Sequence, residues 1–167
     1  MCLGPLHRNQ DTLNEVLDRY NDKISFYGDV AEIMHRLKEE GVVIAACSRT
    51  HAPALAQQAL SLLLVPPPGA ATADRSDDSL NAQPAIEFFD QLEIYPGSKL
   101  THFRKLHEKT GLPYSEMLFF DDEHRNREVE KLGVTFCLVP EGVNNKDFEK
   151  GLARWRLVHS ENLEDET

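Results

Sequence analysis

Asp121 and Asp122 stand side by side directly after the apolar run Met117 to Phe120. Two carboxylates at the end of a strand can hold a hard cation through oxygen alone, and Mg²⁺ takes one or two carboxylates together with water and phosphate oxygens. The same dipeptide also suits turn chemistry and helix capping. Two further groups fit phosphate. Ser48, Arg49 and Thr50 follow another apolar run and precede a helical pattern, so their hydroxyls and amides could bond phosphate oxygens or simply cap the helix. Lys99 sits at a helix start, where a compact cation could neutralise a transferring phosphoryl group or remain solvated. In chain order these residues fall on successive strand–helix units, which joins three individually ordinary features into one candidate phosphate site.

Other groups are weaker. Cys2 and Arg8 match the Cys-x5-Arg spacing of cysteine-dependent phosphatases, but Pro5 removes an amide donor from that loop. His51, His124 and Asn126 are expected near the same rim, where either histidine could shuttle protons or simply be a polar group facing water. Cys2, Cys47 and Cys137 show no zinc-like spacing, and the last two lie in apolar strand-like runs as inert thiols.

The elements that must position these residues alternate. Asp29 begins a helix with Val30, Ile33, Met34 and Leu37 on one face, and Gly41 ends it. Val42 to Cys47 reads as a strand covered on both sides. A helix follows from about Ala52 to Leu64, stopped by three prolines. Gly69 to Gln83 lacks periodicity and reads as a mobile insertion, bounded at about residues 66–84. Ser98 caps a helix carrying Leu100, Phe103 and Leu106 that closes near Gly111. After the aspartates come a helix of about Arg125 to Leu132, a strand from Val134 to Val139, and a last helix of about Lys146 to Trp155. Strands joined to helices by short turns predict an α/β fold, a parallel sheet with helices on both faces. The main domain spans residues 29–157, after an N-terminal segment 1–28 of uncertain order and before an acidic tail, 158–167. Within the first segment, Leu13, Val16, Leu17 and Tyr20 recur at helical spacing after a Thr12-x-x-Glu15 capping box.

With 167 residues, 41% hydrophobic, the chain suffices for one domain. A net charge of −10 and the lack of a basic stripe exclude a nucleic-acid surface. No stretch approaches the roughly 18 apolar residues of a membrane span, and the start lacks secretory-signal character, so a soluble cytoplasmic protein is expected.

Ser48, then Lys99, then Asp121-Asp122 resembles motifs two to four of the haloacid dehalogenase-like (HAD) superfamily. More closely, Cys47 to Thr50, Ile94-Tyr-Pro-Gly-Ser-Lys99 with Thr101-His-Phe103, and Phe119 to Asn126 resemble its eukaryotic magnesium-dependent phosphatases. The resemblance covers about residues 18–155. It implies a Rossmann-like sheet with minimal cap, Mg²⁺, and hydrolysis of phosphomonoesters such as phosphotyrosine or sugar phosphates through an aspartyl-phosphate. Asp121 and Asp122 would be metal ligands, Ser48 and Lys99 catalytic, and Ser48, Arg49, Lys99 and Asn126 would contact substrate. Partners are then small phosphorylated molecules or phosphotyrosine proteins. The family's first motif is a strand followed by Asp-x-Asp-x-Thr, and no two aspartates here are separated by one residue. The nucleophile, the general acid and the first central strand are therefore expected to be missing, leaving either an incomplete enzyme or a non-catalytic phosphate- and Mg²⁺-binding pseudoenzyme.

Overall fold

The computed structural model describes residues 5–10, 12, 14–69 and 81–164. They form two compact units, Met1–Pro96 and Gly97–Thr167, both of mixed α/β character.

The first unit opens with a three-stranded antiparallel sheet in the order β1 (His7–Arg8), β2 (Glu15–Leu17), β3 (Lys23–Ser25). This corrects the helix expected around residues 12–20. Asp18 and its neighbours are the reason. The Asp18 carboxylate accepts from the amides of Tyr20 and Asp22 at 2.8 and 2.9 Å, and Asn21 adopts φ 63°. That tight turn pairs Val16 with Ile24 across the hairpin and leaves Tyr20 exposed. The Thr12–Glu15 contact survives as a side-chain bond of 3.1 Å that braces the strand entry. Leu13 lies outside the described residues. Leu6, in the segment expected to be of uncertain order, is buried with Val16.

Helix α1 (Val30–Glu39) follows and closes in a double cap. The Gly41 amide bonds the Lys38 carbonyl, the Val42 amide bonds the Leu37 carbonyl, and Gly41 has φ 69°. Val42 is thus part of the helix stop. Strand β4 consequently begins later than expected, at Ala45–Ser48, and Val42 and Val43 are exposed. Helix α2 (Pro53–Leu62) gives way to β5 (Leu64–Val65), which pairs antiparallel with β6 (Gln83–Pro84). Of the expected insertion, residues 70–80 lie outside the described residues, while both of its ends are tied by this ladder. A 3-10 helix (Ala85–Phe88) leads to β7 (Gln91–Ile94), paired parallel with β4. Val16, Met34, Ile44, Val65 and Phe88 belong to one buried cluster.

The second unit carries α3 (Lys99–Thr110), capped by Ser98 and stopped at Gly111 with φ 71°. Strand β8 (Leu118–Asp121) pairs parallel with β9 (Thr135–Leu138). Between them His124–Leu132 is a 3-10 helix. Its three-residue turn stacks buried Asn126 and Val129 on one face, with Leu132 below them. Helix α4 (Asn145–Glu164) packs on β8 and β9 and runs past the helix end expected near Trp155 into the acidic tail. The ring of Phe119 meets those of Phe103 and Phe136, with centroids 4.9 and 5.8 Å apart. No helix among the described residues is long and apolar enough to cross a membrane.

Candidate active site

Asp121 is the last residue of β8, held in the ladder by the Val139 amide on its carbonyl at 3.0 Å. Its side chain is only 12% exposed. Oδ1 accepts from the Glu123 amide at 2.8 Å and from the Asn126 side-chain amide at 2.7 Å. Oδ2 faces Lys99 Nζ at 3.2 Å, and the lysine side chain is 4% exposed. Lys99 Nζ also lies 5.0 Å from the centroid of the Phe119 ring.

Lys99 is the first residue of α3, where the helix dipole disfavours a cation and a lysine ordinarily reaches into water. Its position is fixed instead by Ser98, whose hydroxyl accepts the Thr101 amide at 3.3 Å, and by the Glu128 carboxylate, which accepts the Lys99 backbone amide at 3.2 Å. Lys99 is thus a buried cation held at a helix start against that preference.

Asp122 is exposed immediately beyond the strand, as are His124 and Arg125. The Glu123 carboxylate bonds the Arg125 guanidinium and raises its pKa, with Asp121 adding to the effect. Asn126, expected at the rim, is 2% exposed beneath Asp121.

Ser48 and Arg49 belong to the first unit, both half-buried. Ser48 ends β4 and its carbonyl accepts the Tyr95 amide at 3.0 Å. Its hydroxyl accepts the Thr50 amide at 3.3 Å, and the Thr50 hydroxyl accepts the Ala52 amide at 3.1 Å. These successive turns lead the chain into α2. His51 is exposed. Arg8 donates to the Leu62 carbonyl at 2.9 Å, while Cys2 lies outside the described residues.

Two groups escaped the sequence reading. Glu128 had no periodic signal, because its role depends on how the 3-10 turn faces α3. Glu93, 1% exposed, accepts the Tyr95 hydroxyl at 2.6 Å, and a lone carboxylate within the apolar run Leu92 to Ile94 was the available signal.

An α/β fold whose strand ends in an aspartate paired with a buried lysine has the groups that a phosphate-processing protein uses at such a position. Residues 1–157 match the acid phosphatase family, and the chain belongs to it. It is similar to an HAD-like hydrolase superfamily protein of Schizosaccharomyces pombe, with 44% identity over 133 residues covering 80% of this chain and 71% of the relative. It is also similar to magnesium-dependent phosphatase 1 of Homo sapiens, with 38% identity over 149 residues covering 89% and 72%. By family the chain is a hydrolase of the HAD-like phosphatases.

Proposed function

We propose that this chain acts on phosphomonoesters with Mg²⁺, as a phosphatase for phosphotyrosine or sugar-phosphate substrates. The observation that carries the reading is the buried Lys99–Asp121 pair, 3.2 Å apart at a strand end. The donor set suits Mg²⁺. Asp121 and exposed Asp122 offer only carboxylate oxygens, and no cluster of three or more His, Cys, Asp or Glu side chains competes among the described residues. Held by these two residues, Mg²⁺ would neutralise charge on phosphate oxygens. Asp121 stays oriented through its own hydrogen bonds. Lys99 supplies a fixed positive charge for a phosphoryl group; within the first unit, taken by itself, Ser48 and Arg49 carry donors of a kind that suits phosphate oxygens.

A second reading is favoured by one sequence observation: no two aspartates of residues 1–167 have a single residue between them. Attack by a carboxylate is what divides phosphate hydrolysis into two easier steps, so without it the groups bind and polarise without turnover. The test is hydrolysis of p-nitrophenyl phosphate by purified residues 1–167 with and without Mg²⁺. Mg²⁺-dependent turnover abolished in Asp121→Asn supports the phosphatase. Metal and phosphate binding without turnover supports the non-catalytic module.

A further inference from the structure

Asn126 and Glu128 lie on one 3-10 turn, and each grips a different member of the Lys99–Asp121 pair. The Asn126 amide donates to Asp121 Oδ1 at 2.7 Å, and Glu128 Oε1 accepts the Lys99 backbone amide at 3.2 Å. Asn126 is 2% exposed and its side-chain amide already donates to Asp121, whereas the Asp121 side chain is 12% exposed. The two bonds act differently. The bond from Asn126, with that from the Glu123 amide, occupies Oδ1 and so fixes the carboxylate plane with Oδ2 turned toward Lys99. The bond to Glu128 fixes where the backbone of Lys99 begins α3, and therefore where its ammonium can reach.

Resting on the phosphatase reading, we propose that the turn at residues 126–128 is a positioning clamp in which Asn126 orients Asp121 toward metal and Glu128 orients Lys99 toward phosphate. Asn126 then contributes nothing to phosphate directly, and Glu128 nothing to metal. Carboxylate ligands are commonly oriented by a hydrogen-bonded neighbour, and losing such a partner weakens metal binding about 10- to 100-fold.

The test measures Mn²⁺ binding by electron paramagnetic resonance and inorganic phosphate binding by calorimetry on the full chain. Asn126→Ala weakens Mn²⁺ about tenfold or more and leaves phosphate affinity near wild type. Glu128→Ala weakens phosphate several-fold and leaves Mn²⁺ near wild type, while Glu128→Gln, which keeps an acceptor oxygen, restores phosphate. Val129→Ala, a cavity on the same turn, lowers thermal stability without moving either affinity. Hydrogen exchange at the Lys99 amide reads the clamp without any ligand: protection falls in Glu128→Ala and persists in Glu128→Gln. Loss of both affinities together in each variant, or in Val129→Ala, overturns the proposal, as does unchanged Lys99 protection in Glu128→Ala. A wild-type chain that binds neither probe removes the phosphatase reading instead, and the exchange result then decides the clamp alone.

Discussion

Lys38 and a backbone amide share the carboxylate of Asp90, and this makes the residue acid-sensitive. Lys38 Nζ bonds Oδ1 at 2.9 Å and the Ile44 amide bonds Oδ2 at 2.8 Å. These bonds, that to Lys38 foremost, lower the Asp90 pKa below its ordinary 3.8. A depressed carboxyl stabilises the fold above its unfolded value, and that contribution is lost as pH falls through the lower folded value. Asp90→Asn should therefore flatten the decline of urea stability below about pH 4. A wild-type acid slope in the variant would contradict this. The exposed ion pair alone is worth no more than about 1 kcal/mol. The bond to Ile44, which lies in the buried cluster, is the larger part of any Asp90→Ala loss, about 1–3 kcal/mol. At this scale, Lys99 and Asp121 were legible from residue type and order. The depth of Asn126 was not. It follows from the chain reversing after Asp122, where the Asn126 amide bonds the Glu123 carbonyl at 3.0 Å.

Helix α4 reaches the strands beneath it because residue 151 has no side chain. A Cβ there would stand 2.5 and 2.6 Å from Phe120 Cζ and Cε1 and 3.2 Å from Cys137 Sγ. Burial raises the pKa of that thiol, in keeping with an inert packing role. Alanine would improve helix propensity by about 1 kcal/mol, while overpacking a filled core costs about 1–3 kcal/mol. Contacts this short against a ring already packed on Phe148 favour the second effect. Gly151→Ala should lower the urea midpoint, and an unchanged or higher midpoint would show that Phe120 moves aside. Several element ends were legible from Ser98, Gly41 and Gly111, since their conformations depend on local chemistry. Strand β4 started late because the α1 cap claims Val42. The 3-10 geometry of 124–132 follows from tertiary contacts that periodicity does not carry.

Over the whole molecule, family and α/β class were legible because alternating apolar strands and helices carry the site residues in order. The N-terminal sheet was not, since Val16, Leu17 and Tyr20 satisfy helical spacing and the turn at Asp18 decides otherwise. The net charge of −10 also acts at this scale. Ion pairs such as Lys105–Glu108 are exposed and contribute little, so repulsion among excess carboxylates dominates the long-range field. Moving from about 10 to about 150 mM NaCl shortens the screening length to about 8 Å and should raise the thermal midpoint. A falling midpoint would show that attractive pairs outweigh the repulsion.

The short ladder of β5 with β6 has an engineering consequence. Val65 is registered opposite Gln83, so the two ends of the intervening stretch are clipped together before its own length counts. Each doubling of a closed loop adds only about 0.6 kcal/mol. An epitope or fluorescent reporter spliced between these strands should therefore be carried as passive cargo, leaving Val65 packed and the remainder of the fold available for assay.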